Sequence, residues 1–439
     1  MLTCPNTPLH CPKVALLASW MVTIFSAFPL LAFGAGGPSG TPVTIDAMHL
    51  VQPSTGWVLS GSHVYWTTND GLSWNEITPP LDSKEEINRV FFVDASHGWV
   101  ALFNDDGSEN FVYSIASTSD GGKNWKRAAP DALRGHNYGG SGYSVTSMYF
   151  SDAEHGWIMF RAPTNTQFSD GLLARTEDGG AHWALESVPI AGQFSFGSSS
   201  MGVLYGEDPQ SNDHDHQFNH AWYTTDGGSS WQKAVLPLPA QCSGGNCLIE
   251  SLGPAFFQSR QEVFLSASVN LPGESVASFL YKSATAGRTW DIDPASLTQD
   301  KNERRPTAIF DGQAVYLLPR DRKEFLQTGT SETQLQLPTE HLGWPLIVTG
   351  AGASFVDPAN GWLLGGGFGC AAGVHIPCMH SSEKASFQVL FSLSGSSLDP
   401  ITPSTGTITP NAAGAARPLS LQRPVASRAE SRPHVGSAP

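Results

Sequence analysis

The segment Thr118-Ser-Asp-Gly-Gly-Lys-Asn-Trp125 decides the fold, because the chain repeats it. Four other segments align with it: Thr67-Thr-Asn-Asp-Gly-Leu-Ser-Trp74, Thr176-Glu-Asp-Gly-Gly-Ala-His-Trp183, Thr224-Thr-Asp-Gly-Gly-Ser-Ser-Trp231 and Ser283-Ala-Thr-Ala-Gly-Arg-Thr-Trp290. The shared frame is Ser/Thr-x-Asp-x-Gly-x-x-Trp, and successive tryptophans stand 51, 58, 48 and 59 residues apart. A fixed period of that length is the signature of a repeat architecture. A weaker copy, Ser392-Leu-Ser-Gly-Ser-Ser-Leu398, has lost both the Asp and the Trp.

The frame has a structural reason to exist. A tight hairpin needs glycine where the backbone enters positive φ, which assigns that role to Gly71, Gly122, Gly180, Gly228 and Gly287. The side chains of Asn69, Asp120, Asp178 and Asp226 suit acceptance of backbone N–H groups across the turn. The rings of Trp74, Trp125, Trp183, Trp231 and Trp290 are expected to pack between neighbouring sheets.

A second element precedes several copies: Phe92-Val-Asp-Ala-Ser-His-Gly-Trp99, Phe150-Ser-Asp-Ala-Glu-His-Gly-Trp157 and Phe355-Val-Asp-Pro-Ala-Asn-Gly-Trp362, with Gly56-Trp57 as a remnant. One unit therefore reads as strand, Asp-rich turn, Gly-Trp strand, variable loop, third strand, box turn and Trp-led fourth strand. Four strands in about 50 residues is the size of a propeller blade. The expectation is an all-β, seven-bladed β-propeller of four-stranded antiparallel blades over residues 44–402. Its blades are expected at 44–80, 86–130, 143–190, 193–240, 247–296, 304–341 and 348–402, the sixth without a box. Residues 403–439, rich in Pro, Ser, Ala and Arg, read as a disordered tail.

These repeats resemble the Asp-box (BNR) repeat of sialidases, sortilin-type receptors and xyloglucan hydrolases. The joint pattern is most similar to the photosystem II assembly/stability factor family and its bacterial relatives. That resemblance implies a scaffold that holds a membrane-protein precursor during assembly, with an arginine-rich face patch in the photosynthetic members. Here Arg304, Arg305, Arg320 and Arg322 form the dense basic stretch of the propeller, within the degenerate sixth repeat.

Composition supports the all-β reading and narrows the function. The 439 residues include 45 Gly, 31 Pro and 13 Trp, and only 14% are charged. A formal charge of −15 argues against nucleic-acid binding, which needs clustered Lys and Arg. Lys13 precedes an apolar stretch from Val14 to Leu31, and small residues follow at Ala32, Gly34, Ala35 and Gly36. Residues 1–35 thus read as a signal peptide, with an uncleaved anchor as the alternative. No stable membrane span is expected after cleavage. Four cysteines then remain in two close pairs, Cys242 with Cys247 and Cys370 with Cys378, expected as disulfides of an oxidising compartment. The absence of an Asn-x-Ser/Thr sequon fits a bacterial source, periplasmic or extracellular.

The irregular insertions fall in the second-to-third and fourth-to-first connections, which share one face of the disc. That face is the candidate functional surface. It holds Asn212-Asp-His-Asp-His-Gln-Phe-Asn-His220, where His214, His216 and His220 have metal-ligand chemistry and a polar surface loop is the plainer reading. No other cofactor is expected. A sialidase needs an arginine before the first box, yet Gly36 to Trp66 contains no Arg or Lys. The expected role is therefore non-enzymatic: a monomer binding a protein or polysaccharide at the cell envelope. A glycoside hydrolase acting on another glycan is the alternative.

Overall fold

In the computed structural model each repeat folds into one antiparallel sheet, and the box turn explains why. Thr118 Oγ1 accepts the Gly122 N–H (2.9 Å) and donates to Asp120 Oδ1 (2.9 Å), which also accepts the Asn124 N–H (2.9 Å). Gly121 and Gly122 hold φ at 73° and 83°. The same contacts recur at Thr67/Asn69/Gly71, Thr176/Asp178/Gly180 and Thr224/Asp226/Gly228. In the fifth copy the Thr285 hydroxyl replaces the carboxylate, accepting the Thr289 N–H. The turn is thus wired by its own residues, which is why a short sequence frame specifies it.

The structure describes residues 42–105, 110–129, 134–136, 144–163, 169–208, 219–242, 247–271, 275–300, 303–320, 323–329, 331–336, 347–370, 384–404 and 407–409. Blade 1 comprises β1 (Ala47–Gln52), β2 (Thr55–Ser60), β3 (His63–Thr67) and β4 (Trp74–Glu76). Blade 2 comprises β5 (Glu85–Phe92), β6 (Gly98–Asp105), β7 (Asn110–Thr118) and β8 (Lys126–Ala128), with β9 (Arg134–His136) added beside β7. Blade 3 is β10 (Ser144–Phe150), β11 (Gly156–Pro163), β12 (Ser169–Thr176) and β13 (Ala184–Val188). Blade 4 is β14 (Gln193–Phe196), β15 (Gly202–Glu207), β16 (Asn219–Thr224) and β17 (Gln232–Lys233). Blade 5 is β18 (Ile249–Phe257), β19 (Val263–Leu271), β20 (Ser275–Ser283) and β21 (Asp291–Asp300). Blade 6 is β22 (Ala308–Phe310), β23 (Gln313–Arg320), β24 (Lys323–Thr328) and β25 (Ser331–Gln334). Blade 7 is β26 (Ile347–Asp357), β27 (Asn360–Cys370), β28 (Lys384–Ser394) and β29 (Ser397–Pro400). A seven-bladed β-propeller of antiparallel sheets is therefore the observed fold.

The second motif joins blade to blade. A Cβ on Gly98 or Gly156 would meet the Phe92 or Phe150 ring of its own blade at 2.3 or 2.2 Å, so only glycine fits there. The following tryptophan faces the next blade. Trp99 stacks on Phe150 at 3.6 Å between centroids, and Trp157 on Phe196 at 3.8 Å. Their indole N–H groups donate to the box carbonyls of Gly179 and Gly227, each at 2.8 Å. Within each blade the box N–H reaches the first turn, as in Gly121 N to Ser96 O and Gly179 N to Glu154 O. Both turn sets therefore lie on one face, leaving the other to the longer connections.

First strands of neighbouring blades lie against each other, β5 with β10, β14 with β18, and β26 with β1, so they form the inner ring. Asp70 closes that ring at the box face. It occupies φ 55°, where blades 2, 3 and 4 carry glycine, and its carboxylate accepts Trp362 Nε1 (3.3 Å) and Ser392 Oγ (2.6 Å) from blade 7. The chain after Thr402 returns to blade 1. Pro42 bridges Ser404, and β30 (Ile408–Thr409) pairs parallel with β4. Ordered pairing thus continues past residue 402, while residues 410–439 lie outside the described residues.

Blade 6 forms without a box. Thr328 pairs with Ser331, so its last hairpin closes over two residues, with Gly329 at φ 56°. The weak copy at Ser392–Leu398 is the equivalent hairpin of blade 7, with Gly395 at φ 64°. The fourth-to-first connection after blade 2 includes β9, Arg134–His136, paired to Asn110–Val112.

Candidate functional site

The face opposite the box turns carries an open cavity of about 460 Å³ between blades 4 and 5. Residues at the edges of three connections build it. Glu207 ends β15 and Asn219 begins β16, the second-to-third connection of blade 4. Leu248 precedes β18, which Ile249 and Glu250 open, and Arg305 lies between β21 and β22; Leu248 and Arg305 thus belong to fourth-to-first connections.

Hydrogen bonds fix this wall. Asn219 Nδ2 donates to the carbonyls of Ile249 and Glu250, each at 3.0 Å, tying blade 4 to the inner strand of blade 5. Glu250 Oε2 accepts Asn270 Nδ2 at 2.8 Å. Behind the cavity Glu303 Oε1 receives Arg305 Nε (2.9 Å), Ser268 Oγ (3.0 Å) and Ser251 Oγ. Burial would raise the Glu303 carboxyl, but the hydrogen bonds from Arg305, Ser251 and Ser268 outweigh it and hold the group below the usual carboxylate range. Glu303 is thus an ionised anchor at neutral pH.

The disulfide Cys242–Cys247 clasps the connection that supplies Leu248, with 5.4 Å between its Cα atoms. Cys242 also ends a 3-10 turn (Ala240–Cys242) and donates its N–H to Pro239 O at 2.8 Å. The expected Cys370–Cys378 pair lies outside the residues whose side chains are described. So do His214 and His216. His220 stands on β16 and is buried, its ring 5.8 Å from that of Trp222 and its Nε2 3.3 Å from Lys233 Nζ. Among the described residues no group of three His, Cys, Asp or Glu side chains is arranged to hold a metal.

The box residues meet one another and not this cavity. Asn69, Asp120, Asp178 and Asp226, with Gly71, Gly122, Gly180, Gly228 and Gly287, lie in the turns of the opposite face. Trp74, Trp183 and Trp290 are buried, and Trp125 and Trp231 are half-buried between sheets. Of the basic stretch, Arg304 Nη2 reaches Asp300 Oδ2 at 3.1 Å and Arg305 reaches Glu303, so neither is an unpaired cation. The side chains of Arg320 and Arg322 lie outside the described residues.

No protein-family model matches the chain. Asialoglycoprotein receptor 2 of Rattus norvegicus is 35% identical over 96 residues, which cover 19% of this chain and 32% of that protein. Its Mus musculus counterpart is 32% identical over 95 residues, covering 19% and 31%. The chain thus spans about a third of the length of the curated relatives it matches. Among solved structures, YCF48 bound to a D1 peptide aligns at 14% identity and a TM-score of 0.42, covering 75% of this chain and 94% of that one. A PL25 ulvan lyase aligns at 10% identity and a TM-score of 0.45, covering 83% and 96%. The GH74 xyloglucanase of Xanthomonas campestris aligns at 12% identity and a TM-score of 0.39, covering 72% and 45%. At such identities the likeness is one of fold alone.

Sequence reading selects this face, and Asn219 only as part of the Asn212–His220 segment; it does not single out Glu207 or Glu250. None belongs to a repeated motif, and residues 207, 219 and 250 meet only because adjacent blades bring three connections together. The advance signals are the Asn212–His220 segment, which ends at this cavity, and the basic pair Arg304-Arg305. No helix among the described residues is long and apolar enough to cross a membrane, and residues 1–35 lie outside them.

Proposed function

We propose that the chain is an exported, non-enzymatic β-propeller scaffold that binds a protein or polysaccharide partner at the cell envelope, in the manner of the photosystem assembly-factor-like proteins its repeats resemble. The supporting observation is the cavity on the loop face, whose hydrogen-bonding groups come from the strand ends of two adjacent blades and the entry to a third. Rigid scaffolds presenting polar groups around an open cleft suit recognition, because little ordering is lost on binding.

Hydrolysis of a glycan is the second reading. It needs a carboxylic acid kept protonated near neutral pH. Glu303, the most enclosed carboxylate beside the cavity, is pulled the other way by Arg305 and two hydroxyls. Glu303 therefore does not supply that acid. The reading includes a signal peptide at residues 1–35, a monomeric mature chain and no cofactor.

The test is a parallel screen of the purified mature chain against envelope polysaccharides and synthetic peptides from exported proteins. It scores both retention and release of reducing ends. Retention without release supports a scaffold. Release of sugar ends from any glycan refutes the non-enzymatic reading.

A further inference from the structure

We propose that the cavity between blades 4 and 5 docks an extended basic–apolar peptide segment of a partner protein. A Lys or Arg side chain enters between Glu207 and Glu250, and a neighbouring apolar side chain rests on Leu248. This deepens the binding reading above and rests on it.

Charge comes first. Glu207 and Glu250 both line the cavity and are exposed. Among the described residues Glu207 makes no ion pair, and Glu250 engages only the neutral Asn270 amide through Oε2. The cation in the lining, Arg305, is already held by Glu303. Among the described residues, the cavity therefore presents two carboxylates without a cationic partner. A formal charge of −15 over the chain adds a long-range attraction for cations. An anionic polysaccharide would be repelled. A neutral glycan could offer hydroxyl donors to the carboxylates but would leave their two charges unpaired. A cationic side chain answers both.

Apolar surface comes second. The described residues include five exposed large apolar side chains, and three of them, Val235, Leu238 and Leu248, belong to the single connection from β17 to β18. Leu238 precedes the Cys242–Cys247 clasp by four residues and Leu248 follows it by one, and the clasp holds its ends 5.4 Å apart. Apolar contact beside an acidic cleft is what a basic residue with an apolar neighbour requires.

The experiment is fluorescence anisotropy with the full mature chain and two labelled, end-blocked probes, Gly-Ser-Leu-Lys-Leu-Ser-Gly-Ser and the same peptide with Glu for Lys. The expected result is binding of the lysine probe at least about tenfold tighter than the glutamate probe, weakening as salt rises and screens the carboxylates. Combining Glu207→Gln with Glu250→Gln should remove that preference, and Leu248→Ser should weaken both probes alike. The substituted side chains are exposed, so an unchanged melting temperature certifies the fold. Equal binding of the two probes, no binding of the lysine probe, or a preference that survives the double substitution overturns the proposal. A glycan panel run beside it separates the two levels. Glycan retention without peptide binding defeats this inference and leaves the scaffold, whereas glycan turnover defeats the scaffold reading itself.

Discussion

Replacing Asp70 by glycine tests ring closure, because two effects of opposite sign meet at one residue. At the same turn position blades 2, 3 and 4 carry Gly121, Gly179 and Gly227, so repeat logic alone expects Asp70→Gly to stabilise. Relief of the left-handed backbone, φ 55°, contributes roughly 1–2 kcal/mol. The extra freedom of glycine in the unfolded chain returns about 0.5–1 kcal/mol of that gain. Against this stands the carboxylate. The Ser392 hydroxyl donates to it at 2.6 Å from an almost fully buried position, a charge-assisted bond of about 1.5–3 kcal/mol. The longer Trp362 contact, 3.3 Å, adds about 0.5–1 kcal/mol. The balance is a loss of roughly 1–3 kcal/mol, concentrated where blade 7 meets blade 1. Urea unfolding should show a lower midpoint with an unchanged slope. A double-mutant cycle with Ser392→Ala should give a coupling of about 1 kcal/mol or more. A glycine variant as stable as the parent, or more stable, would refute the reasoning and make backbone strain the governing term.

Three other outcomes follow from the same geometry. Asp120 is held down to about 2 by hydrogen bonds from the Asn124 side chain and backbone and from Thr118, so carboxyl-carbon NMR should place its midpoint near that value. A depressed folded-state pKa stabilises above the unfolded value of about 3.9 and is lost as pH falls towards 2. Asp120→Asn should therefore flatten the acid limb of the stability curve, and an unaltered limb would count against the turn's role. Trp157→Phe keeps an aromatic over Phe196 but removes the bond to Gly227 O, and calorimetry should record a loss of about 1–3 kcal/mol. Peptide mapping without reductant should recover Cys242 linked to Cys247. Breaking the bridge with Cys242→Ser and Cys247→Ser should cost about 2 kcal/mol, given how short the loop is, and an unchanged melting temperature would contradict that estimate.

Much of the fold is legible in the sequence. The box carries its own hydrogen-bond acceptors and its own glycines, so Thr118, Asp120 and Gly122 describe a hairpin without reference to distant residues. The Phe-to-Gly-Trp element is equally local in its first half, where the ring of Phe92 excludes any Cβ at Gly98. Spacing of the boxes then set the blade length, and even the boxless sixth repeat could be placed by its strands. The candidate site was legible only as a face, since connection length marks where a scaffold is free to vary.

Residue pairs that determine closure and recognition were not legible. Asp70 and Ser392 are 322 residues apart, and nothing near either one announces the other. His220 read as part of a polar surface loop and stands buried on β16, because the strand begins at Asn219, two residues earlier than a loop ending at His220 implies. Glu207, Asn219, Glu250 and Arg305 share a cavity through the angle between adjacent blades. Backbone turns and strand alternation are short-range consequences of steric and hydrogen-bonding preferences, so the sequence by itself determined the blades. Contacts between blades exist only once the ring has closed, so the latch at Asp70 and the contents of the cavity were decided by the tertiary structure.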